Sequence, residues 1–508
     1  MGAASAKQNQ GTSPYEIREQ DWRNGALVYQ VLVDRFAPSR DLQAKLHLYQ
    51  APRTLRTWTE TPKKGTYLEG AQIWSHEIDF WGGDLSSLRR SLNYLDELGV
   101  DVLYLNPIHA GFTNHKYDAL DFEKISPEFG TRKDVTSLAK DLHKREMRLV
   151  LDGVFNHMGR NSEIFLQAAS DPKSQYRDWF YFGDEYPGGV RVWAQAKNLP
   201  ELNLENKAVQ KYIFAARNSV VQQYLKQGAD GWRLDVAYDI GYELLGGITN
   251  AAHQAKPGSL VVGEIWNYPA GWFPALDGVM NFAAREIVWQ LSLGSLDPKV
   301  AGEMINRMIT DAGIEPMLKS WMVLDNHDTP RLKNMLPERW QQKMAQLLQF
   351  TLPGSPNLYY GTELGMTGDI GPETRAPMRW DLVNEGNETL VWTRKLIDLR
   401  KQHRALRIGD FSLVTSGKLL AFERFTDKVA DTIIVIVNPS DEAVSESVMI
   451  ANSSLMNWTV MQDLLGETDK TIFVKSSLLH LEVAAQSFLV LKPNTEAKGG
   501  YTPYKRVP

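Results

Sequence analysis

Gly231-Trp232-Arg233-Leu234-Asp235 is a short apolar stretch that ends on a carboxylate. It follows the helical run from Val209 to Gln227 and a turn signal, Gly228-Ala229-Asp230. Read as a strand, it places Arg233 and Asp235 on one face, because side chains alternate with period two. A guanidinium beside Asp235 favours its ionised form. An ionised carboxylate at the carboxyl end of a strand is suited to act as a nucleophile. A structural ion pair explains the pentapeptide equally well, so its neighbours decide.

On either side of it the same unit recurs. Apolar runs that end polar appear at 26–36, 102–106, 148–155, 231–236, 260–265, 278–281, 322–326 and 357–360. Runs of this kind are strands buried on both faces of a parallel sheet. Helical patterns separate them, including 85–98, 133–145, 209–227, 242–255, 284–312, 340–350 and 390–402. Eight strands alternating with helices predict an α/β fold, a parallel (β/α)8 TIM barrel. The third connection is too long and too rich in aromatics, Gly and Pro for a simple loop, and predicts an inserted subdomain. After about residue 408 short alternating runs (419–424, 432–437, 458–462, 487–491) predict a C-terminal antiparallel β-sandwich. The expected organisation is therefore a disordered tail over 1–20, a barrel over 21–157 and 207–406, a subdomain over 158–206, and the β-sandwich over 407–508. A polar excursion over 37–78 is long enough to be functional or partly structured.

Bulk composition narrows the class. The chain has 508 residues, a net charge of -5, no cysteine and 15 tryptophans. The charge offers no basic face for nucleic acid, and the longest apolar run, 433–437, is far too short to span a bilayer. Thiolate chemistry and Cys-type zinc sites are excluded. The polar start, 1–14, does not read as a secretory signal. A cytoplasmic location is expected, or a periplasmic one should a signal have been removed.

In a (β/α)8 barrel the chemistry sits where the strands end. The third strand ends Asp152-Gly-Val-Phe-Asn156-His157, the fourth Arg233-Leu-Asp235, the fifth Gly263-Glu264-Ile-Trp266, and the seventh Asp325-Asn326-His327-Asp328. Acids, two imidazoles and a guanidinium thus converge on one mouth. Metal binding wants His and carboxylate at ligand spacing, such as two His one helical turn apart, and no such pair occurs. Glycosidic cleavage needs one ionised and one protonated carboxyl flanking the bond. Asp235, facing Arg233, fits the first; Glu264, between an apolar strand and Trp266, fits the second.

At these residues the chain resembles the α-amylase superfamily of retaining glycoside hydrolases. The likeness also takes in Gly82-Gly83-Asp84-Leu85 and Asn114-His115-Lys116-Tyr117-Asp118. It implies Asp235 as the nucleophile, Glu264 as the acid and then base, and Asp328 as the transition-state stabiliser. It implies Tyr117, His157, Arg233 and His327 around the sugar. Trp266, Asp118 and Arg379 complete the expected substrate-binding set, Arg375 being an alternative to Arg379. Asp152 and Asn156 occupy positions that are more often structural.

Within the superfamily the likeness is greatest to the neopullulanase, cyclomaltodextrinase and maltogenic amylase group. It implies hydrolysis of α-1,4 and possibly α-1,6 bonds in maltooligosaccharides, cyclodextrins or pullulan. The partner is then an α-linked glucose oligosaccharide or polysaccharide, with no cofactor. A glucosyl transferase or isomerase acting on sucrose or maltose is the alternative. Three departures stand out. The group's N-terminal β-domain is not expected ahead of the barrel. Leu199-Pro200-Glu201-Leu202-Asn203 and Val236-Ala237-Tyr238-Asp239 differ from the group's patterns. The calcium loop after the first strand is missing and Asp84 matches only half of that site, so no metal requirement is expected. The sequence leaves monomer and homo-oligomer both open.

Overall fold

The structure is a computed structural model that describes residues 12–507. Eight parallel strands close into a barrel: β1 (Val28–Val31), β2 (Val102–Leu105), β3 (Arg148–Gly153), β4 (Gly231–Leu234), β5 (Leu260–Ile265), β6 (Gly278–Asn281), β7 (Trp321–Val323) and β8 (Ser355–Tyr359). Each strand pairs with its neighbours in sequence, and β8 closes on β1. β4 reads Gly231 opposite Val150 and Leu260, so Arg233 lies beside Asp152 of β3. Apart from Arg148 at the start of β3, every residue of the eight strands is buried, which explains their near-continuous apolar character.

The barrel interior is a packed core that includes Val28, Tyr104, Val150, Val262, Met280 and Trp321. Trp321 packs on Tyr104 with ring centroids 5.1 Å apart. That contact fixes the Tyr104 ring, whose hydroxyl donates to Asp152 Oδ2 at 2.6 Å. A layer of apolar packing thereby positions a carboxylate just below the mouth. A second, larger core lies between the strands and the surrounding helices.

Several expected elements are shorter or broken. The first apolar run is a strand only over Val28–Val31 and then turns into a helical turn, Val33–Phe36. The turn exists to use Asp34, whose buried carboxylate accepts the backbone N–H groups of Trp81 (3.0 Å) and Gly82 (2.9 Å). Gly83 is required beside it, since an added Cβ would lie 2.2 Å from the Val33 carbonyl oxygen. The helix expected over 284–312 is two helices, Phe282–Ser292 and Pro298–Ala312. Asp297 caps the second and Pro298 starts it, a pairing that favours initiation over continuation. The run 209–227 is likewise interrupted, by a π-helical turn at Lys211–Ala215 and an extended break before Val220–Lys226.

The expected disordered tail is corrected over its second half. Pro14–Gln20 forms a helix, started by a capping box between Ser13 and Glu16. Arg18 anchors it to Glu315 and Asp410 at 2.7 and 2.9 Å. The rest of that expectation, residues 1–11, lies outside the described residues.

Between β3 and the helix Lys207–Gln210 the chain carries one α-helix, Glu163–Ser170, two short 3-10 turns, Arg177–Trp179 and Trp193–Gln195, and isolated bridges such as His157 with Glu201. After the barrel come eight antiparallel strands: β9 (Asp410–Val414), β10 (Leu420–Phe425), β11 (Ile433–Asn438), β12 (Val444–Met449), β13 (Val460–Asp463), β14 (Ile472–Lys475), β15 (Leu478–Val483) and β16 (Ser487–Pro493). They form one sheet in the order β9-β10-β11-β16-β13-β14-β15-β12, around its own apolar core. Four of the eight match expected runs; β9, β12, β14 and β15 do not.

Candidate active site

β4 ends in the quoted pentapeptide. Arg233 is wholly buried and its guanidinium is divided among three carboxyl groups. Nη1 lies 2.9 Å from Asp152 Oδ1 and 2.7 Å from Asp235 Oδ1, and Nη2 lies 2.9 Å from Glu264 Oε2. Asp152 also accepts from the Tyr104 and Tyr117 hydroxyls, the latter at 2.9 Å. Asp152, treated as structural from the sequence, is thus the counter-ion that holds both Arg233 and Tyr117.

Two sequence-based readings of the electrostatics need correction. Arg233 was expected to keep Asp235 ionised. Burial, with Glu264 and Asp152 close by, outweighs Arg233 and pushes the Asp235 carboxyl well above the usual carboxylate range. One guanidinium cannot compensate three carboxylates in a water-poor site. Glu264 was expected in an apolar setting. It instead accepts the backbone N–H of Val236 on Oε2 at 2.9 Å and the Trp266 indole N–H on Oε1 at 3.1 Å. The Val236 donor is available because that residue sits at φ 39, in the left-handed region. A β-branched residue there is strained, and such strain concentrates at functional sites.

β7 contributes the second half of the mouth. The His327 ring stacks on Tyr117 at 5.2 Å and 4°. Its Nδ1 faces two amide groups, Gln30 Nε2 at 3.1 Å and Asn106 Nδ2 at 3.3 Å. Both are N–H donors, so Nδ1 accepts and the ring proton sits on Nε2. Nε2 lies 3.0 Å from Asp328 Oδ2, while Arg375 Nη2 donates to Oδ1 at 2.9 Å. Asp328 is partly exposed at the mouth; desolvation there opposes its ionisation, but these two partners outweigh it and hold its carboxyl below the usual range.

His157 and Trp266 frame the opening. His157 stacks on Trp193 at 5.5 Å. Burial pushes its imidazole down to about 3, so it is neutral, and its buried Nε2 has no partner among the described residues. Trp266 stacks on Phe282 at 3.8 Å and is 44% exposed, leaving part of its indole to the cleft. Trp193 donates its indole N–H to Asp239 at 3.0 Å, just after the point where the sequence departs from the family pattern.

Two of the expected sugar contacts do not join this cluster. Asp118 is buried, and its carboxylate is taken up by Thr113, through both hydroxyl and backbone N–H, and by the Phe112 N–H. It shapes the loop that carries Tyr117. Arg379 is exposed and pairs with Asp381 at 2.7 Å. Arg375, four residues earlier in the same loop, is the one that reaches Asp328. Asn106 and Gln30, which orient His327, carry no sequence signal beyond being polar residues at the ends of apolar runs. His109 is buried and packs at 6.2 Å on Trp232.

Comparison with known proteins places this arrangement. The α-amylase catalytic-domain model matches residues 30–409. The chain belongs to the α-amylase family. A cyclomaltodextrinase from a Bacillus species is 30% identical over 431 residues, 82% of this chain and 73% of that protein. Neopullulanase 2 from Thermoactinomyces vulgaris is 30% identical over 466 residues, covering 88% and 74%. The solved cyclic α-maltosyl-(1→6)-maltose hydrolase from Arthrobacter globiformis superposes with a TM-score of 0.77 at 26% identity, covering 93% of this chain and 99% of that one. The fold on which this mouth is built is thus similar to that of a solved cyclic maltosyl-maltose hydrolase.

The half-matched calcium position around Asp84 holds a side-chain contact. The Lys45 ammonium bridges the Asp84 carboxylate and the Glu128 carbonyl oxygen, the latter at 3.3 Å. A side-chain cation thus already compensates the buried Asp84 carboxylate. We expect a chelator to leave the melting temperature unchanged, whereas Lys45→Met lowers stability by about 1–3 kcal/mol by stranding a buried carboxylate. Thermal melts with and without chelator check both; a chelator-induced drop in the parent protein contradicts the reading.

Proposed function

We propose that this protein is a retaining α-glucan hydrolase that cleaves α-1,4, and also α-1,6, glucosidic bonds in maltooligosaccharides, cyclodextrins or pullulan. The observation that carries this is the sharing of Arg233 between Asp235 and Glu264, with Asp328 held independently by Arg375 and His327. The likeness to cyclomaltodextrinase and neopullulanase supports the substrate class. One relative is an intracellular maltogenic amylase of Bacillus subtilis, and on that likeness we assign this enzyme to the cytoplasm.

The mechanism follows from charge. The retaining mechanism needs one ionised and one protonated carboxyl in the Asp235–Glu264 pair. The productive form carries the proton on Glu264. Asp235 attacks the anomeric carbon as Glu264 gives its proton to the departing glycosidic oxygen. In the intermediate Asp235 is a neutral ester and Glu264 a carboxylate. Glu264 then takes a proton from water, which attacks the same carbon and frees Asp235. The pair bears one negative charge in both resting forms, and Arg233 compensates it in both. Asp328, ionised and independently anchored, faces the oxocarbenium-like charge that develops between them. Tyr117 supplies a flat face beneath the ring, and His157 Nε2 and His327 Nε2 supply polar contacts to its hydroxyls.

The test is time-resolved product analysis on maltotriose, β-cyclodextrin, pullulan and sucrose, with NMR of the first-formed anomer. Glucose and maltose released as α-anomers are the expected result. A β-anomer appearing first overturns retention. Sucrose converted to an isomer, with the glucans untouched, overturns hydrolysis in favour of a transferase.

A further inference from the structure

Beyond Arg375 a second cleft opens, and the catalytic chemistry does not use it. Its cavity is about 850 Å³, within the range of about 300–1,000 Å³ typical of small-molecule sites. Three connections build it. One wall is Trp58–Thr61 from the excursion after β1. The other is Met378–Leu382 from the loop after β8. Lys333, from the segment after β7, also lines it. All three follow barrel strands, so the cleft opens on the same barrel face as the carboxylate mouth.

Two half-buried indoles line it, Trp58 and Trp380. Both are pinned by their N–H groups: Trp58 donates to the Met378 carbonyl at 3.2 Å and Trp380 to the Phe36 carbonyl at 2.8 Å. Trp380 also packs edge-on against Phe36 at 5.1 Å and Tyr94 at 5.3 Å. The rings are therefore preorganised, and their remaining surface lies in the cleft. The rim is polar and balanced in charge. Arg379 and Asp381 form a two-point pair, and Glu60 and Lys333 add one charge of each sign. Lys333 has no ion pair among the described residues. A net basic rim would select phosphate, and a bare apolar groove would select a protein surface. Fixed aromatic faces with a charge-balanced, hydrogen-bonding rim suit a neutral, polyhydroxylated ring.

We propose that this cleft is a second, non-catalytic binding site for an α-glucan chain, separate from the three-carboxyl mouth. The proposal rests on the α-glucan reading above and extends it. It assigns a use to the long excursion after β1, and it places Arg379 in sugar binding at a site other than the one expected. A chain long enough to span both sites gains affinity from each, because the second contact becomes intramolecular. Short substrates gain nothing.

The experiment uses the full-length protein and two variants, Trp58→Ala and Arg379→Ala. Trp58→Ala is expected to lower kcat/KM on maltoheptaose by about 3- to 10-fold, the scale of one lost aromatic contact, while maltotriose turnover stays within about twofold. Arg379→Ala is expected to give a smaller loss with the same selectivity. Its side chain is exposed, so it answers the question even if Trp58→Ala melts early. Retardation in native gels containing soluble starch should weaken in both variants and persist in Asp235→Asn. Equal losses on the two substrates, or unchanged gel retardation, overturn the second site. Gel retardation does not depend on turnover. Failure of the parent protein to hydrolyse maltotriose therefore counts against the proposed function and leaves the cleft to be judged by binding.

Discussion

Asp235→Asn abolishes turnover, with a fall in kcat of about 10⁴-fold or more, as loss of a covalent nucleophile does, yet it yields a protein more stable than the parent at neutral pH. Both halves follow from the position of Asp235. Its oxygen lies 2.7 Å from Arg233, which also carries Asp152 and Glu264. Burial pushes the Asp235 carboxyl above its ordinary value of 3.8. A carboxyl with a raised folded-state pKa contributes stability that is complete below the unfolded value. That stability is lost as pH rises through the folded value. The Asn variant has no proton to lose. The two proteins should therefore melt together near pH 3.5 and separate as pH rises above about 4, with the variant about 2 °C higher at pH 7. Melting curves across pH, paired with maltotriose assays, check this. A variant that melts below the parent at pH 7 shows that Asp235 supports the fold rather than straining it.

The same cluster marks what the sequence made legible. Each strand of the barrel was readable because a strand buried on both faces has almost no polar residues until it reaches the mouth. The mouth residues were readable for the same reason: Asp235, Glu264 and Asp328 are polar groups where an apolar run stops. Their electrostatics were not readable. The groups around Glu264 come from three places: the strained turn at Val236 and the indole of Trp266 donate to it, and the guanidinium of β4 supplies its counter-charge. No spacing within one strand encodes that convergence. Arg375 and Arg379 illustrate the loop case. They stand four residues apart in one irregular segment, where no periodicity fixes direction, and only the first reaches Asp328. Asp118 failed for another reason. Its short side chain found nearer donors in its own loop, Thr113 and Phe112, a local competition to which Asp is prone. In the C-terminal sheet, Val444–Met449 reads Val-Ser-Glu-Ser-Val-Met, where pairing with β15 overrides weak strand propensity.

Glu264→Ala separates the two carboxyl roles, and its effect depends on the leaving group. A natural glucan needs a proton on the departing oxygen, so kcat/KM on maltotriose should fall by about 10²–10⁴-fold, the usual worth of general acid catalysis. α-Maltosyl fluoride leaves as fluoride and needs no such proton. Its attack by Asp235 should therefore survive in Glu264→Ala, giving a burst of one fluoride per enzyme followed by slow turnover, because the base that activates water is gone. Added azide attacks the accumulated intermediate without base help, so it should restore steady turnover and give the α-maltosyl azide. The truncation also removes a partner from Arg233, leaving that guanidinium with Asp152 and Asp235 alone. Asp235 should then ionise at lower pH, and the acidic limb of the fluoride reaction should shift downward. Stopped-flow fluoride release across pH reads the burst and the limb together. A variant equally inactive on the glucan and on the fluoride places Glu264 in the attacking step and reverses the assignment of the pair.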